Sequence, residues 1–164
     1  MDAIDRVVMN TRLHYLGTAA RISEPVQKLA VLTCMDARID VNALLGLRPG
    51  DAHIIRNAGG RATDDARRAL AVSQALGGTR EIMVLHHTEC LLGRFKQAEL
   101  AQRIAAATGH RFDEDLGSFE NPIRAIVEDV GRLRLYMHLA HRDKIRGFMY
   151  DLDANTVTEI PIHN

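Results

Sequence analysis

Two short apolar runs in this chain each lead directly into a residue that can bind a metal ion. Cys34 follows the run at residues 29–33, and His87 follows the run at residues 81–86, with Cys90 three residues further on. Apolar runs of this length that stop at turn residues predict buried β-strands. We therefore expect a sheet whose strand ends bring one imidazole and two thiols towards each other.

The rest of the chain alternates strand and helix patterns. A third strand is predicted over residues 52–56, between the turn signals Pro49-Gly50-Asp51 and Asn57-Ala58-Gly59-Gly60. Helices are predicted from the N-cap Thr63 to Gly77, from about residue 95 to 108, and from the pair Asn121-Pro122 onwards. The buried stripes expected in the first and last of these helices comprise Ala66, Ala69, Leu70, Ser73 and Leu76, and Ile123, Ile126, Val127, Val130 and Leu133.

Near the C-terminus, residues 145–152 and 156–160 flank Asp153-Ala154-Asn155, which predicts a strand, a turn and a short antiparallel edge strand. Together these elements predict an α/β fold: a mainly parallel central sheet flanked by helices, with the antiparallel strand at its edge. We expect residues 1–164 to form a single zinc-binding domain. Residues 1–20 have a ragged apolar stripe and could form a helical arm that packs on a dimer partner.

The charge balance bears on the kind of ligand. Lys plus Arg and Asp plus Glu both number 21 in 164 residues, so no excess of positive charge attracts nucleic acid or an anionic membrane. The apolar runs are much shorter than the ~20 residues of a membrane span, and no secretory signal is visible. We expect a cytoplasmic protein with a small-molecule substrate. In a reducing compartment, a metal-binding or catalytic role for the two cysteines is favoured over a disulfide.

Cys34, His87 and Cys90 are the donor types that a catalytic zinc requires. Such a site uses three protein ligands and leaves its fourth tetrahedral position for water or substrate. A single buried cysteine is more often an ordinary core residue. Because both ligand groups follow predicted strands and precede polar turns, packing alone explains them poorly. We predict one Zn²⁺ per subunit at these residues.

Asp36 and Arg38 follow the first cysteine and suggest catalysis rather than storage of the metal. Two thiolates and a neutral imidazole cancel the charge of Zn²⁺, so the metal alone should be a mild activator of water. Asp36 could orient that water by accepting its hydrogen bond, while Arg38 keeps Asp36 ionised. The alternative is an ordinary ion pair at a strand end. Asp36 could also become the fourth zinc ligand at low pH and close the site.

The glycines Gly59 and Gly60 mark a sharp turn or a close approach of the backbone. Their N–H groups could bind an anion, and a plain turn is the alternative. The spacing of a dinucleotide-binding fingerprint is absent. His53 and His86 lie within strand patterns and could be core or rim residues.

Three segments of the chain resemble, in order and spacing, the signatures of the β-class carbonic anhydrases. They are Cys34-Met35-Asp36-Ala37-Arg38, Arg56-Asn57-Ala58-Gly59-Gly60 and His87-Thr88-Glu89-Cys90. The resemblance, which is strongest to a compact bacterial subgroup, implies that Cys34, His87 and Cys90 bind zinc and that Asp36 and Arg38 form a catalytic pair. It also implies reversible hydration of carbon dioxide to bicarbonate and a proton, by a homodimer or higher homo-oligomer.

Two departures from the family pattern and several alternatives accompany this resemblance. Leu91-Leu92 stands where the family usually has glycine after the second cysteine, and the chain has no tryptophan for the inhibitory bicarbonate pocket of some members.

The same subgroup is similar to hydrolases of carbonyl sulfide and carbon disulfide. A non-enzymatic zinc domain closed by Asp36 is a second alternative. A dithiol redox protein is disfavoured because there is no C-x-x-C motif.

Overall fold

In the described part of the chain, the sheet has five strands and confirms the predicted fold class. The computed structural model describes residues 3–14 and 23–162. The strand order is β2-β1-β3-β4-β5, in which the first four strands are parallel and β5 is antiparallel to β4. The strands are β1 (Leu29–Cys34), β2 (Ala52–Asn57), β3 (Glu81–His87), β4 (Ile145–Asp151) and β5 (Thr156–Ile160).

The order of the strands determines where a ligand can approach the sheet. After β1 the chain adds β2 on one side and then returns to add β3 on the other side. The carboxyl end of β1 is therefore a point where the direction of winding reverses, which is where open α/β sheets bind ligands. Cys34 is the last residue of β1 and pairs in register with Asn57 of β2.

Six helices and one 3₁₀ turn surround the sheet in the described part of the chain. They are α1 (Ala3–His14), α2 (Val41–Leu45), α3 (Asp64–Gly77), α4 (Leu91–Arg94), α5 (Gln97–Thr108), α6 (Pro122–Leu135) and the turn Ala58–Gly60. We did not predict α2 or α4, because helices of five and four residues are too short to show an apolar period.

The helix caps read from the sequence are confirmed. The Thr63 side chain accepts a hydrogen bond from the N–H of Ala66, and the Asn121 side chain accepts one from the N–H of Arg124. These bonds satisfy backbone donors that the first turn of a helix leaves unpaired.

Three residues assigned to the buried stripes are exposed instead: Leu76 at 78%, Ile123 at 51% and Val127 at 39%. The buried face of α3 also includes Gln74, whose amide forms two hydrogen bonds with the backbone of His141. The buried face of α6 also includes Asp129. Each helix thus buries most of its predicted stripe, together with one polar side chain that hydropathy does not predict.

Each face of the sheet carries its own apolar cluster. One cluster includes residues of α3 and α6, among them Leu70, Ile126 and Val130, together with Leu32 of β1 and Val84 of β3. The other lies under α2 and α4. Its buried members are Val31, Cys34, Ile39, Val41, Leu85, Cys90, Leu92 and Tyr150. The thiols of the candidate site are therefore embedded in apolar surroundings.

Helix α1 lies within the segment predicted as an arm, of which residues 1–2 and 15–20 fall outside the described residues. Its packing on a dimer partner stays a prediction. Within the described ranges, every helix is too short or too polar to cross a membrane.

Candidate metal centre

Backbone turns at the ends of β1 and β3 position the candidate ligands. After Cys34, the backbone forms a turn in which the N–H of Ile39 donates to the carbonyl of Asp36. After His87, the chain turns through Glu89, whose φ of 56° is left-handed. Cys90 then caps the short helix α4. These two turns bring the segments towards each other from adjacent strands.

The structure places the ligand atoms of Cys34, His87 and Cys90 within 4.8 Å of one another, and all three residues are buried. The two sulfurs are 4.0 Å apart. Two thiolates bound to one tetrahedral zinc at 2.3 Å would be about 3.8 Å apart. The spacing therefore fits a single zinc ion with little movement of either side chain.

The imidazole of His87 is oriented to use Nε2 as a ligand. Its Nδ1 lies 2.7 Å from the carbonyl oxygen of Thr88, which can only accept a hydrogen bond. In the neutral imidazole the proton is therefore on Nδ1, and Nε2 carries the lone pair that a metal ion needs. This Nε2 is buried and has no hydrogen-bond partner among the described residues. A hydrogen bond to the other ring nitrogen is the usual way in which proteins orient a metal-binding histidine.

The two thiols affect each other's acidity. A hydrogen bond from Cys90 lowers the pKa of Cys34, against the opposing effect of burial, and the His87 side chain and the N–H groups of Asp36 and Gly59 add to the lowering. The contact with Cys34, together with burial, raises the pKa of Cys90. The surroundings of Cys34 therefore favour its thiolate, which is the form that binds a metal ion.

Asp36 and Arg38 form a bidentate ion pair at the edge of this cluster. Arg38 donates from Nε to Oδ1 at 3.0 Å and from Nη2 to Oδ2 at 2.8 Å. The N–H of Arg38 also donates to Oδ1 at 3.0 Å. An aspartate side chain commonly binds the backbone two residues ahead in such a turn. The carboxylate is thereby fixed on both oxygens.

The carboxylate lies beside one of the three candidate ligands, His87. Asp36 Oδ2 is 3.8 Å from Nε2 of His87, and only 12% of the Asp36 side chain is exposed. The hydrogen bonds from Arg38, together with its charge, hold the pKa of Asp36 well below its usual range. Asp36 is therefore an ionised hydrogen-bond acceptor directly beside the candidate metal position.

Gly59 and Gly60 are required by the close approach of their turn to β1. Both have positive φ, 77° and 66°. A Cβ at Gly60 would lie 2.9 Å from the carbonyl carbon of Thr33 and 3.0 Å from the nitrogen of Cys34. The predicted close approach is confirmed, and the proposed contact with an anion stays a prediction.

Leu92, one of the two leucines that depart from the family pattern, packs into this region. It is 8% exposed, and its Cδ1 would be 2.8 Å from a Cβ placed on Gly59. Leu91 is 57% exposed. The departure is thus accommodated by the missing side chain at position 59.

Two further residues fix the candidate site and were not predicted as site residues. Arg56 donates from Nε to the carbonyl of Cys34 at 2.9 Å and from Nη2 to the carbonyl of Asp36 at 2.7 Å. Glu89 accepts from Nη1 of Arg38 at 3.1 Å. The guanidinium of Arg56 reaches Cys34 because β2 pairs in register with β1, a relationship that the sequence does not reveal.

The two histidines left open by the sequence have different surroundings. His53 lies at the sheet edge, with Nδ1 2.8 Å from the hydroxyl of Ser73. His86 is buried on the opposite side of β3 from His87, because successive residues of a strand point to opposite faces. Its Nε2 is 3.2 Å from the Asp129 carboxylate.

The chain is similar to known proteins in both sequence and fold. The family model described as "Carbonic anhydrase" matches residues 29–102. β-Carbonic anhydrase 1 of Mycobacterium tuberculosis is 37% identical over 136 residues, which are 83% of each chain. Carbon disulfide hydrolase of Acidianus sp. is 33% identical, covering 79% of this chain and 75% of the relative. The crystal structure of a carbonic anhydrase from Streptococcus mutans superposes with a TM-score of 0.92 at 36% identity, covering 98% and 99% of the two chains.

Proposed function

Since this chain belongs to the β-carbonic anhydrase family, we propose that it catalyses the zinc-dependent, reversible hydration of carbon dioxide to bicarbonate and a proton. The observation that carries the proposal is the convergence of Cys34, His87 and Cys90 beside the Asp36–Arg38 pair. Three ligands with an adjacent fixed carboxylate are what an open catalytic zinc site needs.

The residues fit zinc. Cys34, His87 and Cys90 would hold the ion, as the spacing of the sulfurs and the unpartnered Nε2 of His87 support. When bound, zinc supplies a Lewis acid that makes water easier to deprotonate. The protein contributes the orientation of all three donors and an apolar enclosure around the thiols.

Asp36 has the role of orienting the attacking water. An ionised carboxylate can only accept a hydrogen bond, so it holds one proton of the water and leaves a lone pair directed at the carbon of carbon dioxide. Arg38 keeps the carboxylate ionised and in one rotamer through its two hydrogen bonds. Hydration then adds the water oxygen to carbon and passes one proton to solvent.

We retain the prediction that Asp36 becomes a fourth metal ligand at low pH. To do so, its carboxylate would have to leave Arg38, to which both of its oxygens are bonded here. Gly59 and Gly60 remain candidates for contact with the bicarbonate product. The N–H of Gly59 is directed at the Cys34 sulfur and lowers the pKa of that thiol, so this turn already presents a donor to one negatively charged group.

Homodimerisation is the assembly that we propose. Helix α1 exposes Ile4, Val7 and Val8 at 74%, 62% and 51%, and β2 is an edge strand of the described sheet. An apolar helix face of this kind can pack on a second copy. Light scattering of the full chain and of a variant lacking residues 1–20 tests this: a dimer that dissociates on truncation supports the arm, and a monomeric full chain contradicts it.

We also propose a cytoplasmic location, where Cys34 and Cys90 would stay free thiols.

Hydrolysis of carbon disulfide or carbonyl sulfide is the second candidate. It is supported by the similarity to the carbon disulfide hydrolase of Acidianus, which extends over most of both chains. The same three ligands and the same carboxylate could activate water for attack on these linear analogues of carbon dioxide.

The decisive experiment measures zinc content together with turnover of carbon dioxide, carbon disulfide and carbonyl sulfide by the same preparation. We expect one zinc per chain and fast hydration of carbon dioxide, both lost in Cys34→Ser. Hydrolysis of a sulfur-containing gas without hydration of carbon dioxide would support the second candidate. Bound zinc with no turnover of any of the three gases would contradict both enzymatic candidates and support a structural zinc domain.

A further inference from the structure

Three ionisable side chains are buried together behind the candidate metal centre, on the α6 side of the sheet. Arg61 is 4% exposed, His86 is 1% exposed and Asp129 is inaccessible. Burial of a charge is unfavourable unless it is paired and hydrogen-bonded. The proposed reaction uses none of these three side chains, so their burial requires another explanation.

Asp129 lies at the centre of this group. Its Oδ2 is 2.7 Å from Nε of Arg61 and 3.2 Å from Nε2 of His86. Its Oδ1 accepts a hydrogen bond from the N–H of Ala62 at 3.2 Å. One carboxylate of α6 thus contacts the backbone and a side chain of the segment that follows the glycine turn, as well as a side chain of β3.

The same contacts extend to the turn itself. Nε2 of His86 is also 3.2 Å from the carbonyl of Gly60. Because both neighbours of this nitrogen are acceptors, it carries a proton, which it donates to the carbonyl of Gly60 while Asp129 lies within ion-pair distance. Asn57 fixes the other end of the loop, since its side chain accepts from the N–H of Arg61 and donates to the carbonyl of Arg61, each at 2.8 Å.

The loop formed by residues 57–62 packs directly against the backbone of Cys34, one of the candidate ligands. Gly60 approaches the backbone of Thr33 and Cys34 so closely that a Cβ would overlap it. A shift of this loop would therefore change the position of Cys34.

We propose that Asp129 is a positioning residue for the metal centre, which holds the 57–62 loop behind Cys34 through Arg61, His86 and the N–H of Ala62. A buried ion pair adds little net stability compared with apolar packing. Its more specific effect here is to fix one position for the loop. The inference rests on the proposed zinc site, because it concerns the geometry in which that site receives the metal.

The first test compares zinc affinity in wild type, Asp129→Asn and Glu128→Gln by competition with a chromophoric chelator. Outer residues that orient metal ligands typically change affinity by about 10–100-fold, and we expect a loss of this size in Asp129→Asn. Glu128→Gln removes a charge one residue earlier in α6, where the side chain is 42% exposed and 3.8 Å from Arg61. This control should stay within about twofold of wild type.

Spectra of the cobalt-substituted proteins provide a readout apart from activity. A displaced Cys34 should shift the thiolate-to-cobalt charge-transfer band in Asp129→Asn and leave it unchanged in Glu128→Gln. A folded Asp129→Asn protein with wild-type affinity and spectrum would overturn the inference. If wild type itself does not bind zinc, the proposed function fails instead, so the two failures are distinguishable.

A second measurement uses wild type alone and does not depend on how a variant folds. If the loop and the site are coupled, zinc must stabilise the loop as the loop stabilises zinc binding. We expect added zinc to slow hydrogen exchange at the N–H groups of Arg61 and Ala62. The decrease in rate there should be at least as large as the decrease at the N–H of Cys34. Helix α5, on the periphery, serves as the reference. Protection of Cys34 without protection of Arg61 and Ala62 would contradict the coupling.

Discussion

Arg38 binds the carboxylate of Asp36 through two hydrogen bonds, which it donates from Nε at 3.0 Å and from Nη2 at 2.8 Å. The remaining guanidinium nitrogen, Nη1, donates to Glu89, which lies between two of the candidate ligands in sequence. Arg38 therefore connects the turn after β1 with the turn after β3. Movement of either turn would therefore displace the Asp36 carboxylate beside the candidate metal site.

Asp36→Asn should lower kcat/KM for hydration of carbon dioxide by about 100-fold or more, within the range expected for loss of a group that orients a proton transfer. The amide carries no charge, and its NH₂ group would oppose the donors of Arg38. Stopped-flow hydration assays and zinc analysis check this, with zinc content expected to stay at the wild-type level.

Asp40→Asn is the matched control for that change. Asp40 caps α2, and asparagine caps a helix equally well, so hydration should be unaffected. An Asp36→Asn enzyme with the full wild-type rate would remove Asp36 from the mechanism.

Arg56→Lys should weaken both zinc binding and hydration by about tenfold. Arg56 holds the carbonyls of Cys34 and Asp36 with two different nitrogens, and a single ammonium group cannot reproduce that planar arrangement. Chelator competition and hydration assays give the two values. Arg124→Lys, at an exposed position of α6, is the control, and equal behaviour of the two variants would show that Arg56 does not position the ligands.

Gly60→Ala should destabilise the protein more than Gly109→Ala. Both glycines have left-handed φ, 66° and 75°, so alanine is strained by about 1–2 kcal/mol at each position. Nothing lies within 4 Å of a Cβ at Gly109, whereas a Cβ at Gly60 would meet the backbone of Thr33 and Cys34. We expect an additional loss of about 1–3 kcal/mol at position 60, measured by urea unfolding. Equal losses would mean that the loop can move away from β1.

Asp51→Asn should lower stability at pH 7 and have a diminishing effect in acid. The N–H of Arg48 donates to Asp51 at 2.9 Å and, against the effect of burial, holds the pKa of this carboxyl below its ordinary value. A carboxyl with a lowered pKa in the folded state contributes stability above its unfolded pKa of about 3.9, and this contribution is lost as the pH falls through the lower folded pKa.

Unfolding of wild type and Asp51→Asn at pH 7, 4 and 3 tests this dependence. The difference between the two proteins should be largest at pH 7 and shrink below about pH 4. Asp143→Asn, at an exposed position, corrects for the general effect of removing one negative charge. A difference that grows on acidification would contradict the assignment.

The sequence was sufficient to predict the elements that carry the candidate ligands. Runs of four apolar residues, at 29–32 and 82–85, identify β1 and β3 without knowledge of their neighbours, and the candidate ligands that follow each run necessarily lie at or near strand ends. The caps Thr63 and Asn121 were predictable for the same reason, because capping depends on residues within one turn of the helix.

The residues that brace the site could not be predicted in this way. Arg61, His86 and Asp129 come from three distant parts of the chain, and their meeting depends on how α6 packs on the sheet. One signal was present: Asp129 lies three residues after Ile126 and directly before Val130, within the apolar stripe of α6. A carboxylate at such a position indicates a buried partner, although it does not identify which one.

The contact between Leu92 and Gly59 couples two segments that belong to separate motifs. A Cβ at position 59 would lie 2.8 Å from Cδ1 of Leu92, so alanine there would have to displace the end of that side chain. A smaller residue at 92 would relieve the contact, but the left-handed φ of Gly59 would still disfavour alanine. Replacement of this glycine during evolution is thus opposed twice, by its own backbone conformation and by a residue of the neighbouring motif.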